Sequence, residues 1–521
     1  MSVMRAAVTV GSFTLLSRIV GFLRECLMVF CLGAGIYTDA LLVALRLANT
    51  FRRIFAEGAF NSSFLPRFSR VLNKEGQENA NIVLSDVFLA LVIIISIFCA
   101  IVLFFFPSVL RIILSGFDEL SEKFQLTVVL GRICFPYLLF ISVASLFAGV
   151  LNTINKFALP AALYSLLSLF TMSALIIGYC LDLSHFTTVH VISVFVLLSG
   201  ITQSIILFNS VKNNGFNIKL RLNFWSDKVK DILKNMIPGI IGAGVWQLNL
   251  LVDTTISSFL PVGTITCINL ADRLNQFPLG TLGIALSTAL LPVLSKNIAS
   301  KDYATASKEL ERGLVFAFFL TFFATTLFMA LSEPTVAVAF QRGLFGAEQV
   351  KMTADAVVGF AVGLPAYVLT KVFSSVYFAF GDTKTPVIFG AISVVLNAIF
   401  LIIIVPFLKY FGLALCTSLS AISNALMFIY FCDERIKLSL NKGFLCNIVS
   451  QICGSIIMYV VLIELKKLYW LNEIGASTTK WIIYITFLSA GFCAFFVTTV
   501  VCLRLSGQHN WRLWHKKSWQ L

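Results

Sequence analysis

The residues that invite a chemical reading are charges standing inside apolar runs. Ser17-Arg18-Ile-Val-Gly21-Phe-Leu-Arg24-Glu25 interrupts the first hydrophobic segment, and Asp39 and Arg46 fall in the second. Arg52, Arg53 and Glu57 then crowd its end, and Asp272-Arg273 sits in a later segment. A charge at mid-membrane costs roughly 2.5–3.5 kcal/mol on insertion scales, so each must face water, a partner or a ligand. Arginine suits one task here. Its planar fork pairs bidentately with phosphate oxygens and stays charged when desolvated. Several arginines around one cavity predict a multiply anionic ligand. The same residues could also form a static ion-pair set, Arg18 or Arg24 with Glu25 and Asp39, that locks helices. Arg18 and Glu25, seven apart, share one face of a regular helix. A bend at Gly21, Gly33 or Gly35 would bring Arg24 to them.

These charges need a membrane scaffold. The chain has 521 residues, 58% of them hydrophobic and only 12% charged, about half the charge of a soluble domain. Apolar runs of about 20 residues predict an all-α polytopic membrane protein; a β-barrel would show short alternating segments. Fourteen segments fit: 9–36, 38–58, 82–107, 127–151, 160–181, 187–209, 237–260, 265–293, 313–332, 354–380, 386–406, 410–432, 445–465 and 481–503. Met1 to Arg18 lacks a signal-peptide pattern, so the first segment is expected to be a retained span.

With the N-terminus inside, the cytoplasmic connections hold 25 Lys and Arg and the outer ones 8. That bias predicts cytoplasmic termini and explains the net charge of +14 without nucleic acid. Six basic residues remain within spans: Arg18, Arg24, Arg46, Arg132, Arg273 and Lys371. Glu25, Asp39, Asp86, Asp253 and Asp272 accompany them.

The chain also repeats itself. FLPRFSR (64–70) resembles LLPVLSK (290–296), and Asn49-Thr-Phe51 resembles Asn275-Gln-Phe277. Pro160 matches Pro386, and Pro107 matches Pro334. Offsets of 226 or 227 residues carry each element past six spans. An even number preserves orientation, which is the parallel-repeat plan, with a ligand site expected between the halves near the midplane. The expected organisation is an N-terminal lobe (1–220), a C-terminal lobe opened by an interfacial helix (221–436), and two extra spans with a cytoplasmic tail (437–521). Trp225, Val229, Ile232, Leu233 and Met236 give the segment from Arg221 to Met236 one apolar face, as for a helix lying on the anionic inner leaflet. A plain linker helix is the alternative.

Other chemistry is sparsely represented. No G-x-x-x-x-G-K-[ST] motif occurs. The four His form no nucleophile–base set, and the twelve Cys lack C-x-x-C spacing and read as packing residues. No enzyme and no resident cofactor are expected. Asp253 in the seventh span, Asn397 in the eleventh and Thr417 in the twelfth offer oxygen ligands of the kind a hard cation takes. A proton site or a satisfied buried polar group is the alternative.

Ser17-Arg18-x-x-Gly21-Phe22-x-Arg24-Glu25, Gly33-Ala-Gly35-x-x-Thr38-Asp39 and above all Arg52-Arg-Ile-Phe-Ala-Glu-Gly-Ala-Phe60 resemble the MurJ (MviN) lipid II flippase family. Ala271-Asp272-Arg273-Leu274, Phe277-Pro278 and Lys384-Thr385-Pro386 continue the likeness, which runs from about residue 5 to 435. The resemblance places the chain in the multidrug/oligosaccharidyl-lipid/polysaccharide exporter superfamily. It implies two six-span lobes around a cationic cavity, and two extra spans lining a groove for a lipid tail. The implied substrate is lipid II, an undecaprenyl-pyrophosphate disaccharide-pentapeptide, carried to the outer leaflet of the bacterial cytoplasmic membrane by alternating access. Membrane lipids, and a cell-wall synthesis complex, are the implied surroundings. Arg18, Arg24, Asp39 and Arg273 match cavity positions of the family, and Arg52 matches one in its second span. Glu25, Arg46 and Asp272 join them as candidate site residues. Asp253, Asn397 and Thr417 fit the family's sodium site, although Leu401 stands where a second carboxylate is expected. Coupling to sodium or to protons is the corresponding expectation. A drug/cation antiporter of the same superfamily would call for an acidic cavity, whereas the intramembrane excess here is basic. A cell-wall assembly protein that binds the lipid-linked precursor without moving it would present the same charges as a static site.

Overall fold

A computed structural model describes residues 3–55, 60–219, 225–432, 442–469 and 477–505. Glu57 and residues 220–224, Arg221 among them, lie outside the described residues. The described secondary structure is helical throughout. In chain order the helices are α1 (Val3–Leu32), α2 (Ile36–Arg52), α3 (Phe60–Phe104), α4 (Phe106–Ile113), α5 (Glu122–Cys134), α6 (Tyr137–Thr153), α7 (Ala158–Leu163), α8 (Leu166–Cys180) and α9 (His185–Asn213). There follow α10 (Asp227–Ser257), α11 (Thr264–Pro278), a π-helical turn at Leu279–Gly283, α12 (Ile284–Ala299), α13 (Tyr303–Phe340), α14 (Ala347–Ala361), α15 (Leu364–Ala379), α16 (Lys384–Tyr430), α17 (Lys442–Tyr469) and α18 (Ser477–Leu505).

Among the described residues, eight helical segments are long and apolar enough to cross a membrane, and a ninth if the bent α14–α15 pair is one span. Segments that fall short of that test include charged ones. The α2 helix, for example, has 17 residues and contains Asp39, Arg46 and Arg52. Apolar side chains such as Ile97, Phe104 and Ile402 remain more than half exposed, as expected of surfaces that face lipid rather than water.

The chain forms two compact units. The first comprises Met1–Thr266 with Arg342–Phe345, and the second Cys267–Gln341 with Gly346–Leu521. In the first, α6 and α9 pack together at the centre, with α2 and α5, α3, and α8 around them. Its core is aromatic: Phe51, Phe98, Phe106 and Phe135 form a chain of edge contacts. In the second, α13 touches α12, α14, α15, α17 and α18. The extra pair α17–α18 is fixed to α13 by Phe319, Phe323, Met458, Phe487 and Phe495, and by hydrogen bonds from Gln451 to the Val315 carbonyl and between Thr335 and Tyr484.

The repeat persists at the level of backbone breaks. Asn155 (φ 61°) and Gly381 (φ 80°), 226 residues apart, both turn through the left-handed region. So do Asp182 (φ 49°) and Lys409 (φ 47°), 227 apart, the latter dividing the eleventh and twelfth segments within α16. The break at Gly76 within α3 corresponds to the turn at Lys301 between α12 and α13. The break at Phe105 corresponds to Leu331 within α13. Non-glycine residues at positive φ are uncommon, so the Asp182 and Lys409 pair in particular carries more weight than a recurring proline.

The structure places the segment after Trp225 within a longer helix. The segment beginning near Trp225 does not form a separate helix with a free apolar face. From Asp227 it continues without interruption to Ser257 as α10, and it packs against α3. Val229, Ile232 and Met236 are buried against protein. The apolar periodicity was that of a helix seeking a neighbour, and a neighbouring helix satisfies it as well as a bilayer surface does.

Candidate functional site

The arginine-bearing α1 helix is continuous across Gly21, and the turn comes at Gly33 (φ 66°). Adjacent residues, not residues seven apart, therefore make the ion pair. Arg24 reaches Glu25 at 2.5 Å, the Arg24 side chain being 13% exposed and that of Glu25 1%. Arg18 is exposed on the same helix. A guanidinium held by one carboxylate keeps further donors for a second anion.

Asp39 is fully buried. Its Oδ2 accepts from Lys123 Nζ and from the Gly263 N–H, both at 2.8 Å. Its Oδ1 accepts from the N–H (2.9 Å) and hydroxyl (2.6 Å) of Thr266. The Lys123 ammonium also lies 4.3 Å from the centre of the Phe117 ring, a cation–π contact. With four donors, one of them the Lys123 ammonium, a desolvated carboxylate is well compensated. In this conformation those oxygens are engaged by protein, so Asp39 acts as a tie among α2, α5 and the start of α11. Close turns make this possible. Gly263 (φ 89°) would bring a Cβ within 2.8 Å of the Ala34 carbonyl, and Gly343 (φ 58°) within 2.3 Å of that of Phe30. Thr38 secures the α1–α2 turn by donating to Gly33 O at 2.7 Å.

Lys123 escaped the sequence reading because it was counted with the outer connections. The signal was available. By the span count Asp39 opens the outer end of the second span and Lys123 precedes the outer end of the fourth, so the two share a depth.

Arg46 donates to Thr254 Oγ1 at 2.7 Å, joining α2 to α10 beside Asp253, which is 9% exposed. Arg52 Nε donates to Asn49 Oδ1 at 3.0 Å within α2. All of these lie in the first unit. Asp272 and Arg273 lie in the second, where Gln276 donates to Asp272 and Arg273 is exposed. Gln276 thus holds a neighbouring acid by hydrogen bonding.

The cation-ligand candidates are divided likewise: Asp253 belongs to the first unit, and Asn397 and Thr417 to the second. Asn397 is fully buried, as is Leu401 one turn further on. The Thr417 hydroxyl donates to the Leu413 carbonyl at 3.2 Å, which leaves its lone pairs able to accept or coordinate. Among the described residues no group of three or more His, Cys, Asp or Glu could hold a metal ion.

Comparison with known proteins agrees with this picture. The family model described as Lipid II flippase MurJ matches residues 28–490. The chain is 32% identical over 484 residues to a probable lipid II flippase MurJ of Rickettsia prowazekii, covering 91% of this chain and 92% of the relative. It is 34% identical over 480 residues to one of Rhizobium tropici, covering 92% and 90%. Among solved structures, a lipid II flippase MurJ in an inward closed conformation superposes with a TM-score of 0.79 at 23% identity, over 95% of this chain and 99% of that one. An inward-facing multidrug resistance MATE transporter of the MOP superfamily gives 0.68 at 13% identity, over 81% and 97%. The two-unit helical fold is thus that of known transporters, and the chain belongs to the lipid II flippase MurJ family.

Proposed function

We propose that the protein translocates lipid II, the undecaprenyl-pyrophosphate-linked peptidoglycan precursor, from the inner to the outer leaflet of a bacterial cytoplasmic membrane. The observations that carry this reading are that the chain belongs to this family and that Arg18, Arg24 and Arg273 stand in its hydrophobic segments. A pyrophosphate presents several anionic oxygens, and guanidinium groups remain charged at low dielectric to bind them. Arg24 is held in place by Glu25 and presents its remaining N–H groups to the ligand. Arg18 and Arg273 supply exposed guanidinium groups on the two units. Binding the diphosphate repays part of the cost of keeping these charges in the membrane.

Passage outward requires a second arrangement of the helices. Any movement that separates α2 from α5 and the start of α11 must first break the bonds of Asp39, so their sum sets part of the barrier. Sodium or proton coupling is part of the proposal, with Asp253, Asn397 and Thr417 as the residues that would offer oxygens. The charge bias supports cytoplasmic termini, where contact with other cell-wall synthesis proteins would occur.

Depletion of the protein in cells, followed by measurement of lipid II accessible at the outer leaflet, tests the reading. Translocation is expected to stop on depletion and to return with the wild-type chain but not with Arg24→Ala or Arg273→Ala. Normal arrival of lipid II at the outer leaflet in depleted cells would show that the protein binds the precursor without moving it, or serves another substrate.

A further inference from the structure

The break at Gly76 (φ 83°, ψ 175°) divides α3 into a first arm, 60–75, and a second, 77–104. Packing at Gly76 does not fix the angle between them, because a Cβ there would meet nothing within 4 Å. Glycine also leaves the backbone its widest choice of angles. Something else must hold the two arms.

The segment that follows α9 touches both. Gln77 Nε2 donates to the Gly215 carbonyl at 2.9 Å. The Asn217 N–H donates to Asn81 Oδ1 at 3.3 Å, and the Lys219 N–H to Ser85 Oγ at 3.0 Å. These rungs advance by four residues along the helix and by two along the segment. Four helical residues rise about 6.0 Å and two extended ones about 6.6 Å, so the rungs stay in register. The residues between them turn the other way. Phe216 is 3% exposed and Ile218 packs on the same core, whereas Gly215, Asn217 and Lys219 are exposed. Phe216 thereby reaches the first arm, its ring 5.9 Å from that of Phe68, which stacks on Phe64 at 5.2 Å. The start of the segment is secured apart from α3: Asn214 accepts from Lys156 Nζ and donates to the Ser210 carbonyl at 2.6 Å.

We propose that residues 214–219 form a brace across the Gly76 break, with Gln77, Asn81, Ser85 and Phe216 as positioning residues that fix the angle between the arms of α3. The rungs hold the second arm and the Phe216 ring holds the first. What they position is the basic end of the first arm. Arg70 and Lys74 are exposed there, on the side that the distribution of Lys and Arg assigns to the cytoplasm. This role rests on the reading that the protein carries lipid II, whose anionic head group arrives from that side. Cations held in one place capture it with less ordering cost than cations on a swinging arm.

Two readouts on the full-length protein in lipid nanodiscs test the brace and its role separately. Genetically encoded spin labels at Asn73 and Ile97, one exposed position on each arm, report the distance between the arms. The intact brace should give one narrow distribution. Gln77→Ala/Asn81→Leu, which removes two rungs, should broaden it, and Phe216→Ala should broaden it further. Asn81→Asp keeps an oxygen for the Asn217 N–H and should leave it narrow. Should Phe216→Ala fail to fold, the rung variant decides alone. An unchanged distribution in Gln77→Ala/Asn81→Leu, or broadening by Asn81→Asp equal to that of the rung variant, would overturn the brace. The second readout is translocation against lipid II concentration. The half-saturating concentration should rise severalfold in Gln77→Ala/Asn81→Leu, with the maximal rate retained. A fall in maximal rate at unchanged half-saturation would overturn the positioning role. If the wild-type protein moves no lipid II while its arms respond as expected, the lipid II reading fails and the brace stands.

Discussion

The Lys123 ammonium and the Asp39 carboxylate meet at 2.8 Å, although 84 residues separate them, with the lysine side chain 9% exposed and the aspartate fully buried. A buried pair of this kind contributes little over a well-packed apolar pair, but removing one partner strands the other and costs about 3–5 kcal/mol. Lys123→Met should therefore lower the thermal midpoint of the purified protein by several degrees. Asp39→Asn should lower it as well, because one amide oxygen can serve either Thr266 or Gly263 but not both, and the amide NH2 faces the remaining donors, Lys123 among them on the Gly263 side. If the pair acts only through stability, Asp39→Leu/Lys123→Met should recover much of the loss. If transport remains absent in a refolded, stable double variant, breaking and remaking this tie belongs to the transport cycle.

The Arg24–Glu25 pair predicts a graded series. Glu25→Gln keeps the hydrogen-bonding shape but removes the charge that steadies Arg24, and should reduce translocation without abolishing it. Arg24→Lys retains a point charge and loses the fork, so it should fall well below wild type, and Arg24→Ala should be inactive. Complementation of a flippase-deficient bacterium, with membrane abundance measured in parallel, reads the series. Equal activity of Arg24→Lys and wild type would exclude bidentate recognition by Arg24.

Much of this was legible in the sequence, for a physical reason. Burying charge in lipid is expensive, so Arg18, Arg24, Asp39 and Arg273 announced themselves by standing in apolar runs. The repeat at 226 residues was visible in Pro66 and Pro292 before it was visible in the left-handed turns at Asn155 and Gly381. Partner choice was not legible. Periodicity puts Arg18 and Glu25 on one face, yet Glu25 pairs with its neighbour Arg24, because a long arginine side chain can reach around the helix. The seat of α10 was hidden for a related reason. The apolar face of Val229, Ile232 and Met236 specifies that something apolar must cover it, and a protein helix and a bilayer read alike in sequence.

Acid pH should loosen two helix starts that lie outside the spans. Hydrogen bonds from the Thr305 side chain and N–H hold Asp302 below the usual carboxylate value of 3.8, and Thr385 does the same for Asp382. A lowered folded-state pKa contributes stability that is present above the unfolded value and is lost as pH falls through the folded one. Wild-type thermal stability should thus decline more between about pH 5 and about pH 3 than that of Asp302→Asn/Asp382→Asn, whose amides cap at every pH. Parallel declines in both proteins would mean that other carboxylates govern the acid limb.

Glycines at positive φ should separate into two grades. A side chain in the left-handed region costs roughly 1–2 kcal/mol wherever it stands. At Gly76 (φ 83°) a Cβ would meet nothing within 4 Å, so Gly76→Ala should cost about that strain and no more. At Gly343 (φ 58°) the added carbon would lie 2.3 Å from the Phe30 carbonyl oxygen and 2.7 Å from its ring. Backbone is the near obstacle there, and the Leu344 N–H donates to that same Phe30 carbonyl at 3.2 Å. Gly343→Ala must push the 342–345 segment away from α1 and give up that hydrogen bond. Its midpoint in thermal unfolding should fall well below that of Gly76→Ala, and amide exchange at Leu344 should accelerate. Equal midpoints for the two variants would mean that this turn is not held against the end of α1 in the membrane-bound protein.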